Sequence, residues 1–242
     1  ISLNQDRIGF ISISYFTKHI KNLIFSSGRL YIADPSEFGL PDNVEKWQIL
    51  NYTDNNSNKV LLNGLEIDYQ TRFWYLPGVL NGLVLNANYT LIKSDVKYPR
   101  NILDQFFDWD ATPPGVITTV IDTFYVDRLI DQPKKIINIS LGYDYKGFSG
   151  RLSMLYKTDV FKQTNFWPEL RESTDDYRRW DLSLKQKLPI QGLELFFNGS
   201  NLTEATDVNR FRGSTNVNFN KPALTLEQYY GKTFDLGFKY MF

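Results

Sequence analysis

Tyr229-Tyr230-Gly231-Lys232-Thr233-Phe234-Asp235-Leu236-Gly237-Phe238-Lys239-Tyr240-Met241-Phe242 decides the fold. Apolar or aromatic side chains stand at Tyr230, Phe234, Leu236, Phe238, Tyr240 and Phe242, with Gly231, Thr233, Asp235, Gly237 and Lys239 between them. Successive side chains of a strand point to opposite faces, so this stretch reads as a strand with one apolar and one polar face. A soluble protein would bury the apolar face in a core. A transmembrane barrel would turn it to lipid and keep the polar face for its lumen.

Composition narrows the choice. The 242 residues carry 27 basic and 27 acidic side chains and no net charge, so no basic patch points to a nucleic-acid partner. Cysteine is absent, which removes disulfide frameworks, thiolate metal sites and cysteine nucleophiles. The 18 Phe, 15 Tyr and 5 Trp suit either a large β core or a barrel with an aromatic girdle at each water interface. Mean hydropathy is negative, but a barrel dilutes every spanning strand with lumen-facing polar residues, so that average does not test for one. The start shows no Met, basic segment or apolar segment of an export signal, and the expectation is a processed chain or a piece of a longer one.

Working backwards from the last strand, seven further segments alternate in the same way: residues 7–20, 59–75, 83–91, 137–145, 148–157, 180–188 and 193–198. Each has the roughly 9–11 residues a tilted strand needs to cross a bilayer, or nearly so. Leu65, Ile67 and Tyr69 oppose Glu66, Asp68 and Gln70, and Ile137, Ile139 and Leu141 oppose Asn138 and Ser140. Phe196 breaks the pattern of its segment. Along the body of each of the eight no Asp, Glu, Lys or Arg falls on the apolar face; Arg7, Lys59 and Lys232 share its parity only towards the segment ends. The links at 76–82, 145–148 and 189–192 are short and carry Pro or Gly, whereas those at 26–58, 97–132, 162–176 and 201–228 are long. Short and long alternate, as tight periplasmic turns and extended extracellular loops do in outer-membrane barrels. The sequence therefore predicts an all-β chain, an antiparallel transmembrane β-barrel with short turns at the periplasm.

The resemblance to a known family rests on Asn63-Gly64-Leu65-Glu66-Ile67-Asp68-Tyr69-Gln70-Thr71-Arg72-Phe73, on residues 83–90, 141–148, 176–183 and 197–203, and on residues 230–242. In their order and spacing these resemble the carboxyl-terminal part of TonB-dependent outer-membrane receptors, particularly those common in Bacteroidetes. The resemblance implies that residues 1–242 are about eight carboxyl-terminal strands of a barrel of roughly 22, with the plug and earlier strands outside this sequence. It implies a role in TonB-energised nutrient uptake in the bacterial outer membrane, with no enzymatic activity and no cofactor. The partners it implies are outer-membrane lipid, the rest of the receptor, TonB through the plug, the barrel assembly machinery and a surface lipoprotein. It also implies that Phe238, Tyr240 and Phe242 form part of the signal read by that machinery.

Leu103 to Asp110 lies in the longest predicted loop and joins Phe106, Phe107 and Trp109 to Asp104, Asp108 and Asp110. Exposed rings and carboxylates there could stack on and hydrogen-bond to a sugar or peptide; loop packing is the alternative use of the rings. Phe166 and Trp167 read as a girdle position, and His19, the single histidine, as a polar residue near a strand end. The charges on the polar faces, among them Glu66, Asp68, Arg72, Asp144, Arg151, Asp181, Lys185, Glu194, Asp235 and Lys239, read as partners across the wall rather than as acid-base catalysts. Two other architectures fit the alternation. One is a self-contained eight-stranded barrel with a structural or adhesion role, whose first and last strands would pair; the other is a soluble glycan-binding β-sandwich.

Overall fold

The computed structural model describes residues 1–26, 30–32, 34–45, 48–50, 53–165, 167–212 and 222–241. The chain is all-β, and its principal unit is a 10-stranded antiparallel sheet. The strands are β1 (Ser2–Gln5), β2 (Gly9–Ile20), β3 (Val60–Arg72), β4 (Leu83–Asp108), β5 (Gly115–Asp127), β6 (Lys135–Tyr145), β7 (Phe148–Lys157), β8 (Tyr177–Lys187), β9 (Leu193–Ser200) and β10 (Thr233–Tyr240). They lie in the order β1-β2-β3-β4-β6-β7-β8-β9-β10, with β5 paired to the far half of β4. All eight segments read from the alternation are strands of this wall. Two strands were not anticipated, the short β1 and the whole of β5. Among the described residues β1 pairs only with β2 and β10 only with β9, so the sheet is open rather than closed on itself.

Register keeps the two faces apart. Ile13 stands opposite Ile67, Ile67 opposite Tyr89, Tyr89 opposite Ile137 and Ile137 opposite Tyr156. On the other face Ser12, Asp68, Asn88 and Asn138 form one row, and Ser140, Ser153 and Asp181 form another. A slip of one residue in any pair would interleave the faces, so the pattern itself specifies the pairing. The apolar face is uncovered: Tyr15, Leu141, Leu236 and Phe238 are exposed, and among the described residues no second sheet packs on it. A sandwich would bury these side chains between its layers. An uncovered apolar face this extensive fits a barrel wall.

The short turns have local causes. Lys146 and Gly147 both take positive φ, 45° and 82°, which makes the two-residue turn whose twist suits the hairpin between Tyr145 and Phe148. The irregular residue of the seventh segment has an explanation across the sheet. Phe196 stands opposite Gly237, and a Cβ added to Gly237 would lie 2.7 Å from the end of the Phe196 ring. The ring on the polar face therefore covers a gap that glycine leaves open. At the same end of the wall, Trp74 Nε1 donates to the Asp6 carbonyl oxygen at 2.9 Å, tying the β3–β4 turn to the β1–β2 turn.

The long connections are not loops in the ordinary sense. Leu23–Ser26 pairs with Thr53–Asn56, and Leu30–Ile32 with Gln48–Leu50, so the β2–β3 connection continues as ribbon. Phe161–Gln163, Glu172–Thr174, Thr206–Phe211 and Leu224–Tyr229 form a four-stranded sheet beyond β7 to β10. The stretch 97–132, read as a loop, is largely a two-stranded ribbon in which Val96 to Asp108 pairs with Asp127 back to Gly115. The β-branched run Val116-Ile117-Thr118-Thr119-Val120-Ile121 favours that outcome on propensity alone.

Candidate functional site

The buried core sits where the long connections meet, not along the middle of the wall. Phe25, Val60, Val96, Tyr98 and Phe161 form it, with Ile20, Leu23, Tyr125, Leu129 and Ile130 packed around. Val60, Val96 and Tyr98 belong to the polar-face parity of β3 and β4, so the connections fold over that side of the wall. Tyr98 stacks on Tyr125 at 5.5 Å and meets the Phe161 edge at 5.8 Å. Its hydroxyl donates to the Arg128 carbonyl oxygen and accepts from the Ile130 amide, each at 3.1 Å. Ser94 Oγ accepts from the Leu129 amide at 2.9 Å. The segment after β5 is thus held by wall side chains at several successive backbone groups.

Charge fixes the remaining connections. The Arg128 guanidinium forms a bidentate pair with Asp159, and also donates to the Asp159 carbonyl oxygen at 2.8 Å. Asp176 accepts from the Asp159 amide at 2.8 Å and from the Tyr156 hydroxyl at 2.7 Å. Arg171 lies over the Tyr125 ring at 3.4 Å, and both Arg171 and Arg212 reach Asp127. Thr164 Oγ1 donates to the Ser26 carbonyl oxygen at 2.6 Å, joining two connections far apart in sequence. Burial raises the Tyr98 and Tyr125 phenols far above their ordinary range, so both stay neutral. Burial also lowers Arg171, a shift countered by Tyr125 and Asp127 and reinforced by Arg100 and Arg212.

The profile of the TonB dependent receptor-like β-barrel family matches residues 1–202. The chain belongs to that family. Its members are outer-membrane receptors and transporters rather than enzymes. No curated protein and no solved structure matches the chain. Residues 203–242 lie outside the matched stretch, yet β10 pairs with β9 in unbroken register from Leu193↔Tyr240 to Ser200↔Thr233. In the frame of a receptor barrel the apolar face is the lipid side, the polar face the lumen and the long connections the extracellular cap.

The residues singled out in the sequence fall into three groups. Leu103 to Asp108 is strand, not loop, and only Trp109 and Asp110 lie in the ribbon's turn. Strand periodicity divides the cluster: Asp104, Phe106 and Asp108 share one face of the ribbon, and Phe107 is on the other. Trp109 is 77% exposed and its ring lies 4.4 Å from that of Phe107. The Asp108 carboxylate accepts from the Asp110 amide at 2.9 Å, which closes the turn locally. Phe106 and Phe107 are exposed as well, so these rings do not pack the ribbon onto a neighbour among the described residues.

Of the proposed assembly residues, Phe238 and Tyr240 lie on the lipid face of β10, opposite Leu195 and Leu193, while Phe242 lies outside the described residues. Trp167 is exposed in the β7–β8 connection, directly before the Pro168–Leu170 turn, and Phe166 also lies outside the described residues. His19 is an exposed residue one place from the end of β2.

The lumen charges pair only in part. Arg151 and Asp144 form a bidentate pair across β6 and β7 at 2.9 and 2.7 Å, whereas Arg179 and Asp181 pair along one strand. Glu194 stands opposite Lys239 without an ion pair among the described residues. Between the charges the wall is lined by hydroxyls and amides that bond to each other, as Ser183 Oγ does to Asn198 Oδ1 at 2.8 Å. That surface presents hydroxyl, amide and charged groups to the lumen side. Sequence reasoning missed Tyr98, Arg128, Asp159 and Phe161, which organise the cap; only the lumen-side parity of Tyr98 could have flagged one of them.

Proposed function

We propose that the chain is the carboxyl-terminal part of the barrel of a bacterial outer-membrane receptor that takes up a nutrient with energy from TonB. The observation that carries this reading is the register. It joins eight strands into one sheet with an unbroken apolar face, while the long connections fold over the polar face. An open sheet supports the wider assembly, because β1 and β10 each present an unpaired edge among the described residues and unpaired edges do not persist in a bilayer. The earlier strands would continue from those edges, and a plug would occupy the polar side. TonB would act through that plug. Determining the structure of the complete receptor tests the arrangement: β1 and β10 pairing with further strands is the expected result, and β1 pairing directly with β10 would make the chain a closed small barrel instead.

Cargo capture is assigned to the projecting β4–β5 ribbon, whose tip exposes Phe106, Phe107, Trp109, Val116 and Ile117. Rings presented in this way add contact area to a bound sugar or peptide without contributing to strand pairing. Changing Phe107 and Trp109 together to Ala is expected to weaken cargo binding to whole cells by at least about tenfold, given roughly 1 kcal/mol or more per lost aromatic contact. Surface levels must be matched between variants, and the cargo identified by growth on candidate nutrients. Undiminished binding would return recognition to other connections or to the plug.

Deletion of Phe242 in the complete receptor is expected to slow insertion without altering synthesis. The measurement is the yield of heat-modifiable, membrane-integrated receptor, and a yield equal to that of the parent would remove the assembly role.

A further inference from the structure

The inward face of the β4–β5 ribbon gathers positive charge. Tyr98 stands opposite Tyr125 in the cap core, and the next pair on the same face is Arg100 opposite Thr123. The β7–β8 connection brings Arg171 over the Tyr125 ring, and the Arg171 carbonyl oxygen accepts from the Arg212 amide at 2.6 Å, so the β9–β10 connection delivers Arg212 to the same place. Three guanidinium groups from three parts of the chain thus converge on one phenol. Arg100, Arg171 and Arg212 each act electrostatically on the Tyr125 hydroxyl, and Arg100 and Arg212 both act on Arg171.

One carboxylate answers the three. Asp127 pairs with Arg212, stands 4.0 Å from Arg171 and also accepts from the Arg128 amide at 2.8 Å. Asp159 is held by Arg128, and Asp122 accepts from Asn101 on the opposite face of the ribbon. Glu172, next to Arg171 in sequence, forms no ion pair among the described residues, and neither does Arg100. The Arg171 side chain is only 12% exposed. Arg100 Nε, Arg171 Nε and the Tyr125 hydroxyl are all buried, with no hydrogen-bond partner among the described residues. Like charges held together away from water repel strongly unless an opposite charge answers them. Unmatched N–H and O–H donors beside them specify that charge as an oxygen-bearing anion.

We propose that this cluster binds an oxyanion, a carboxylate or a phosphate, carried by the cargo. Arg100 and Arg171 supply donors in the planar fork that suits either group, and the Tyr125 hydroxyl donates a further hydrogen bond. Arg100 is half-buried at the edge of the core. Beyond it on the same face Ile102 stands opposite Ile121, both exposed, which offers the body of the cargo an apolar floor. Asp104, one pair further along, ends that floor and disfavours a second anionic group there. The parity is that of Val96 and Tyr98, so the cluster looks toward the polar side of the wall, where a cargo passing from the ribbon tip to the lumen meets it. This deepens the uptake reading above and rests on it.

The test uses complete receptor purified in detergent, titrated with phenylpropionate, phenyl phosphate and the neutral phenylpropionamide, and read by saturation-transfer NMR. At least one anionic probe is expected to bind roughly tenfold or more tighter than the amide, and the tighter anion tells carboxylate from phosphate. Arg100→Gln should remove that preference, and Tyr125→Phe should reduce it by a smaller factor. Neither the Arg100 guanidinium nor the Tyr125 hydroxyl bonds to another described residue, so both variants should keep the protease resistance of the connections. A role in cap packing alone would lower that resistance and leave the preference unchanged. Equal binding of amide and anions, or an undiminished preference in Arg100→Gln, overturns the proposal; if that variant does not assemble, Tyr125→Phe decides in the same way. A complete receptor in which a plug carboxylate pairs with Arg100 and Arg171 would overturn it too. Transport plays no part in this readout. A receptor that binds the anions but supports growth on no candidate nutrient would sink the uptake reading and leave the site, whereas import without anion preference would do the reverse.

Discussion

Arginine at Leu141 is expected to abolish membrane assembly, whereas arginine at the adjacent Ser140 leaves it nearly intact. Leu141 stands on the apolar face between Leu85 and Leu152, in the middle of β6, and is exposed there. A lipid-facing Arg near the bilayer centre costs about 2–4 kcal/mol, a large share of the roughly 5–15 kcal/mol that separates folded from unfolded states of ordinary proteins. Ser140 faces the polar side, where its Oγ accepts from Ser153 Oγ at 3.0 Å. Losing that bond costs only about 0.5–1.5 kcal/mol, and the new charge remains in water. Leu184 and Ser183 repeat the comparison on β8, with a smaller contrast because Leu184 lies nearer the short-turn end of its strand. The measurement is the heat-modifiable, membrane-integrated fraction at equal synthesis. Similar yields for Leu141→Arg and Ser140→Arg would mean that the apolar face does not meet lipid.

The second large effect concerns the cap. Phe161 is fully buried against Tyr98 and also lies beneath the Arg212 guanidinium at 4.9 Å. Truncating it to Ala empties the point where the β2–β3, β4–β6 and β7–β8 connections converge, at a cost of about 3–5 kcal/mol. The wall meets that core only at its cap end, through Val60, Val96 and Tyr98, so the loss should be local: Phe161→Ala receptor inserts normally but becomes sensitive to external protease in the connections. Limited proteolysis of intact cells, with heat-modifiability as the control for the wall, reads the two effects separately. Protease resistance equal to the parent's would show that the cap is held by its hydrogen bonds and ion pairs rather than by this ring.

Most of the wall was legible in the sequence because strand geometry is a local property. Side chains alternate with period two whatever the strand is paired with, so Leu65 to Phe73, or Phe234 to Tyr240, announces both a strand and the side it buries. Alternating link lengths then supply the direction of each strand. The candidate ribbon shows where this reasoning stops. Residues 103–110 look like one cluster of rings and carboxylates when read along the chain, but pairing with residues 115–120 makes most of that stretch a strand and sends its members to opposite faces.

What the sequence by itself determined is therefore the β class, the eight wall segments and the polarity of each face, all set by neighbours within a few residues. Only the tertiary structure decided that the sheet stays open, that the long connections are ribbons, and that Phe25, Tyr98, Arg128 and Phe161 meet above the polar face. The physical reason is distance along the chain. Thr164 bonds to Ser26, and Arg128 to Asp159, through contacts that exist only after strands far apart in sequence have found their register, and no local period records them.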